Sequence, residues 1–148
     1  MINYKVSMIE IPYYERSYFC LSNFSAYRIS YKNDSYPTAE HAYHAQKFSN
    51  RSIIEKIRNA GSPLEAFQIA QNNKNERRKD WDLVKVQTLY EILKEKVRQY
   101  PDVKEALLST GEEEIIEISP SEFWGNGNTG NGQNQCGKIL MKIRSESK

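Results

Sequence analysis

Hydrophobic and polar positions follow a short period at the start of the chain and a helical period through most of the rest. Residues 4–36 cluster the β-favouring side chains Tyr18, Phe19, Tyr27, Ile29 and Tyr31 around the polar break Lys32-Asn33-Asp34-Ser35, which predicts short strands in a hairpin or meander. At Pro37 the pattern changes. Thr38 is a good N-cap and the run from Ala39 to Phe48 contains no breaker, so a first helix begins there. Ser49-Asn50 caps a second, with Ile53, Ile54 and Ile57 on one face and Gly61 as its C′ residue. Ser62-Pro63-Leu64-Glu65 then joins an N-cap serine, a proline at N1 and a capping-box glutamate, the plainest helix start in the chain.

After a polar link over residues 72–79, Leu83, Val86, Tyr90, Leu93 and Val97 recur at spacings of 3, 4, 3 and 4. That spacing predicts a core-facing helix of about five turns, from about Asp80 to Tyr100. Pro101 to Leu108 reads as a further helix ended by Thr110-Gly111, followed by a solvated turn at Glu112-Glu113-Glu114 and a short buried strand carrying Ile115, Ile116 and Ile118. Residues 119–132 are rich in Gly, Asn and Ser and have no period, whereas Cys136, Ile139, Leu140 and Ile143 mark a final helix. No repeat or linker divides the chain. The expected fold is α+β: a mainly helical single domain over residues 1–148 with a small N-terminal β element.

A chain of 148 residues is long enough to bury one core without disulfides or metal. No run approaches the ~18 apolar residues of a membrane span, and the first residues lack the basic and apolar regions of a secretory signal. A cytoplasmic protein that makes no use of a membrane is therefore expected. Cys20 and Cys136 show no CxxC spacing and are expected as buried small hydrophobes. A net charge of +2 and a pI of about 8.4 are too mild for a protein built to grip duplex nucleic acid, and leave anionic small molecules and single strands open as ligands.

Three segments can carry chemistry. Glu40 falls at N2 of its helix, with Tyr43, His44 and Lys47 on the same face at i+3, i+4 and i+7. It either complements the helix dipole or serves as an ionised carboxylate near developing positive charge. His41 and His44 have no third ligand and no HExxH pattern, so no metal site is expected. In Arg77-Arg78-Lys79-Asp80-Trp81-Asp82, Asp80 either caps the long helix beside a solvated basic loop, or Trp81 offers a stacking face next to phosphate-binding charges. Gly125, Gly127 and Gly130 satisfy GxGxxG, but too few residues follow to complete a dinucleotide-binding unit. What remains there is a surface loop or an anion site made of backbone N–H groups.

In order along the chain, these segments resemble the motifs of the NADAR superfamily of YbiA-like N-glycosidases. Leu21-Ser22-Asn23-Phe24 is similar to its SNF opening, and residues 36–48, YPTAEHAYHAQKF, to its TVEHAYQAQKF helix. Residues 78–85 resemble RxDWDxVK, residues 107–111 resemble LLxTG, and the stretch from Trp124 to Arg144 resembles WGxG…GxNxLGxxLMxIR. The resemblance covers residues 18 to 144. It implies cleavage of an N-glycosidic bond in a phosphate-bearing riboside: phosphoribosylated aminopyrimidine intermediates of riboflavin synthesis in one branch, ADP-ribosylated guanine of single-stranded nucleic acid in another. A module that only binds NAD or ADP-ribose is the alternative of another class.

Carried over residue by residue, the resemblance implies Glu40 and Trp81 as active-site residues. Asn23, Lys47, Arg78, Asp80, Trp124, Gly125, Asn126 and Asn134 are implied as substrate-binding or pocket positions. Many riboflavin-type members carry SPxDxxWG, where this chain has Ser119-Pro120-Ser121-Glu122-Phe123-Trp124-Gly125, one residue shorter, and the acid of a WGDG variant is Asn126 here. Glu122 is thus the candidate second acid. The implied reaction passes through an oxocarbenium-like transition state that an anion near C1′ stabilises, and it needs no metal or redox cofactor. Glu40 is the expected anion and general base. Trp81 or Trp124 is expected to stack on the base, while Lys47, Arg77, Arg78 and the glycine loop hold phosphate.

Overall fold

The computed structural model describes residues 8–11 and 18–148. In chain order it contains β1 (Met8–Ile11), β2 (Ile29–Tyr31), β3 (Asp34–Tyr36), α1 (Ala39–Ala45), α2 (Arg51–Arg58), α3 (Pro63–Asn72), α4 (Trp81–Gln99), α5 (Pro101–Ser109), β4 (Glu114–Glu117) and α6 (Gln135–Glu146). The fold is α+β and mainly helical. Contacts divide the chain into two compact units, one of Asn23–Pro101 and one of Met1–Ser22 with Asp102–Lys148.

In the Asn23–Pro101 unit, Lys32 and Asn33 both adopt positive φ, +48 and +68. Such a pair makes the tight turn that matches strand twist, and it closes β2 and β3 into an antiparallel hairpin with Tyr31 opposite Asp34. The helices start where their caps dictate. Thr38 accepts from the His41 N–H at 3.2 Å, Asn50 from Ser52 at 2.9 Å, and Ser62 from Glu65 at 3.1 Å. The Glu65 carboxylate reaches back to the Gly61 N–H at 2.6 Å. Gly61 therefore precedes the α3 cap and does not close α2, which ends at the C-cap Asn59.

The buried stripe of α4 differs from the expected one. Trp81, Leu89, Ile92, Leu93, Lys96 and Val97 are buried, whereas Leu83 is 87% exposed. Trp81 sets the inward face of the first turn. Two residues on, about 200° round the helix, Leu83 must point away from it. Inward-facing Leu89, Ile92 and Leu93 each stabilise by roughly 1.5–3 kcal/mol. Lys96 joins them because its amine donates to the Ser25 hydroxyl at 2.8 Å and lies 5.1 Å from the centre of the Tyr27 ring.

In the other unit, β1 pairs in parallel with β4, Ile9 opposite Ile115. The meander alternative fails here, since β1 joins a strand about a hundred residues away, and Phe19–Leu21, expected in a strand, forms a 3-10 turn. The parts of that expectation on residues 4–7 and 12–17 lie outside the described residues. Backbone bonds to Leu107 and Leu108 carbonyls end α5 at Thr110 and Gly111. On α6, Cys136, Ile139, Leu140 and Ile143 are all buried, as their spacing predicts. Cys136 is buried but Cys20 only half-buried. Among the described residues no helix is long and apolar enough to cross a membrane.

Candidate active site

The N-terminus of α1 is anchored before its chemistry begins. Its cap is Thr38, and the Glu40 N–H donates to the Asn23 carbonyl at 3.0 Å, so the backbone under the Glu40 side chain is held from two sides. One turn on, at i+4, the His44 ring places Nε2 2.7 Å from Glu40 Oε1. The glutamate side chain is 15% exposed and the histidine 3%. His44 is in turn fixed by edge-on contacts with Tyr43, centroids 5.1 Å apart, and with Phe67 of α3, 5.7 Å apart. His41 plays no part. One of its ring nitrogens meets the Thr38 hydroxyl at 2.8 Å and the other the Ala60 carbonyl at 3.0 Å.

Glu40 and Trp81, 41 residues apart in sequence, belong to the same cluster. The Arg78 N–H donates to the Lys47 carbonyl at 2.8 Å, which ties the segment before α4 to the segment after α1. Trp81 then packs against Tyr43, centroids 5.2 Å apart. The Lys47 amine lies 5.3 Å from the Tyr43 ring centre and 5.9 Å from that of Trp81. Burial pushes the Lys47 amine down to about 8, with Arg77 and Lys85 acting in the same direction and Glu40 against it. A lysine so placed holds its proton loosely near neutral pH. That suits proton donation better than a permanent grip on phosphate.

Trp81 is only 2% exposed. Its ring is covered by Tyr43 and Lys47, so here it supports the cluster and presents no open face to a base. The partly exposed aromatic beside His44 is Phe67, at 40%, which the sequence did not single out. Arg78 and Asp80 are engaged with each other, Nε to Oδ1 at 2.6 Å and the second pair at 2.8 Å. The guanidinium holds the Asp80 carboxyl below its usual range, and Asp80 makes no side-chain cap on α4. Arg77 is looser, 3.7 Å from Asp82.

The remaining candidates lie in the other unit, in a loop that hydrogen-bonds to itself. The N–H groups of Gly125, Asn126 and Gly127 donate to Ser121, Glu117 and Ser119 carbonyls, and that of Asn134 to Gly125. At the start of α6, Gln135 and Cys136 donate to Phe123 and Trp124. The first two N–H groups of this helix, among those expected to bind an anion, are thus occupied. The Asn126 side chain accepts from the Ser119 N–H at 3.2 Å. Buried Asn134 donates to the Ile115 carbonyl and accepts from the Glu117 N–H, both at 2.9 Å, which staples the loop to β4. Gly137 is required beside it, because a Cβ there would collide with the Asn134 amide and the Ile115 carbonyl. Phe123 and Trp124 pack edge to face, 4.8 Å apart. Glu122 is exposed, its carboxylate lying against Gly127. Among the described residues no three His, Cys, Asp or Glu side chains gather in a way that could hold a metal ion.

With this geometry in hand, comparisons with known proteins agree with one another. The NADAR domain family model matches residues 12–147, running across both units. The N-glycosidase Npun_R5314 of Nostoc punctiforme is 41% identical over 133 residues, covering 87% of this chain and 85% of that protein. The riboflavin biosynthesis protein VVA0006 of Vibrio vulnificus is 35% identical over 127 residues, covering 85% of this chain and 35% of its own length. The NMR structure of Escherichia coli YbiA superposes with a TM-score of 0.85 at 31% identity, covering 95% of this chain and 84% of that one.

Proposed function

The chain belongs to the NADAR domain family, and on that premise we propose that it is a cytoplasmic N-glycosidase whose substrate is a phosphate-bearing riboside joined at C1′ to a nucleobase-like amine. Phosphoribosylated aminopyrimidines of riboflavin synthesis are the first candidates, because a relative named for riboflavin biosynthesis aligns over 85% of this chain. The observation that carries the reading is the Glu40 carboxylate, one oxygen held by His44, whose charge favours the protonated form of the buried Lys47 amine.

In the reaction the C1′–N bond breaks as positive charge develops on the ribose. Glu40 stabilises that charge and takes a proton from the water that forms the new C1′–O bond. The departing nitrogen gains the electron pair of the broken bond and a proton. Within the Glu40 cluster Lys47 is the acid suited to supply it, a role the sequence assigned to Glu122. Arg77, loosely paired, is free to meet the substrate phosphate.

The test is to incubate the protein with an aminopyrimidine ribosyl phosphate and, separately, with an ADP-ribosylated guanine oligonucleotide, and to follow free base, ribose phosphate and ADP-ribose. Glu40→Gln, which removes charge and keeps shape, should lower kcat by about 10²-fold or more. Cleavage of the oligonucleotide alone would move the substrate to ADP-ribosyl guanine. Binding without product, unchanged by Glu40→Gln, would make the protein a binding module.

A further inference from the structure

The imidazole of His44 has one nitrogen engaged and one not. Nε2 meets Glu40 Oε1 at 2.7 Å, whereas Nδ1 is buried with no hydrogen-bond partner. Two arrangements with a neutral imidazole fit that distance. In one, a protonated Glu40 donates to Nε2, which leaves a buried Nδ1–H donor orphaned. In the other, Nε2–H donates to the Glu40 carboxylate and Nδ1 keeps only a lone pair. An orphaned buried donor is the costlier defect, and a charged imidazolium would orphan that donor as well. The hydrogen-bond geometry therefore assigns the Nε2–H tautomer. A ring whose far nitrogen has no partner cannot pass a proton onward. It can only hold what it touches.

We propose that His44 is the positioning residue for Glu40: flanked by Tyr43 and Phe67, it grips Oε1 so that the other carboxylate oxygen is left for the ribosyl centre and the attacking water. The inference rests on the N-glycosidase reading and goes one step past it. Edge contacts at 5.1 and 5.7 Å on the imidazole restrict its rotation, and the helix sets the i,i+4 spacing that brings the two side chains together. Without the bond, Glu40 would sample several rotamers at the solvent-facing end of the cluster. Misplacement of a reacting group by about 1 Å can cost 10²-fold in rate.

The test has two arms. In the ligand-free wild-type protein, two-bond nitrogen–proton correlations of the neutral imidazole should show the proton on Nε2. In kinetics with whichever riboside the wild type cleaves, His44→Leu should lower kcat by about 10- to 100-fold with KM changed by less than about threefold. His44→Gln, whose amide N–H can reach the same oxygen, should recover kcat to within about fivefold of wild type. A purely structural histidine would move the melting temperature without this split and without rescue. The inference is overturned by a proton on Nδ1, by His44→Leu with full kcat, or by a folded His44→Gln as impaired as His44→Leu. If His44→Leu does not fold, the glutamine variant and the tautomer still decide. A wild type that cleaves neither riboside overturns the proposed function, and the nitrogen carrying the proton still tells whether His44 grips a carboxylate.

Discussion

The Glu40 cluster in one unit and the 119–134 loop in the other are both dense in polar groups, yet they leave different atoms available. In the cluster, Glu40 has one oxygen bound to His44, and the Lys47 amine lies over the Tyr43 and Trp81 rings. In the loop, eight backbone N–H groups between Gly125 and Cys136 donate to carbonyls of the loop or of β4, the Asn126 side-chain oxygen accepts from the Ser119 N–H, and the Asn134 amide donates to the Ile115 carbonyl. Reactive groups need free valence, whereas structural ones show saturation. A segment rich in Gly and Asn is thus no better a ligand site than its hydrogen bonds allow.

The largest effect that would sharpen this contrast is expected at Lys47. Replacing it with Met keeps length and apolar contact while removing a charge that burial disfavours. Lys47→Met should therefore stabilise the fold by about 1–3 kcal/mol, after loss of the cation–ring contacts, and lower kcat by about tenfold or more. The pH dependence follows from the direction of the shift. A lysine whose folded pKa is about 8 against an ordinary 10.5 leaves the unfolded chain holding more protons between those values. Wild-type stability should then rise as pH climbs through that window, and the variant should lose the rise. Urea titrations across it provide the measurement. A destabilised Lys47→Met would show that the amine is a structural cation.

Asn134 is the reciprocal case. Asn134→Ala leaves the Ile115 carbonyl and the Glu117 N–H without partners and puts an alanine at φ +53. Stability should fall by about 2–3 kcal/mol, while KM and kcat of the folded fraction stay near wild type. A KM that rises while stability holds would return Asn134 to the substrate-binding role that the family resemblance implies.

Most local signals in the sequence are legible because their causes are local, Gly61 as an end to α2 and Asp80 as a cap of α4 being the exceptions. The caps Thr38, Asn50 and Ser62, the Pro63 start, the stop at Thr110-Gly111 and the α6 stripe each depend on neighbours within a turn. The i,i+4 spacing of Glu40 and His44 was visible too, although not the burial that gives it meaning. Three things were out of reach. The parallel pairing of β1 with β4 joins segments about a hundred residues apart, and four-residue strands carry too little pattern to announce a partner. The inward face of α4 depends on Trp81 at its first turn, which overrode the apolar spacing that began at Leu83. Residue type also cannot say whether an asparagine or glycine loop is already saturated. That depends on which carbonyls surround it.

The smallest expected effect concerns two adjacent arginines, and it tests the same rule of free valence. Arg78 makes two short, charge-assisted bonds to Asp80, so its remaining N–H groups would meet a substrate phosphate beside a carboxylate that repels it. Arg77 stands 3.7 Å from Asp82, an exposed and loose contact that water already competes for. If phosphate recognition follows availability, Arg77→Ala should raise KM for the ribosyl phosphate by about three- to tenfold and leave kcat nearly unchanged, the signature of lost uniform binding. Arg78→Ala should change KM by less than about twofold and leave the urea midpoint within error. The reverse ranking, with Arg78 dominant, would mean that the Arg78–Asp80 pair opens when substrate arrives. In that case hydrogen-bond saturation in the ligand-free protein would be a poor guide at the α4 entrance, however well it serves in the 119–134 loop.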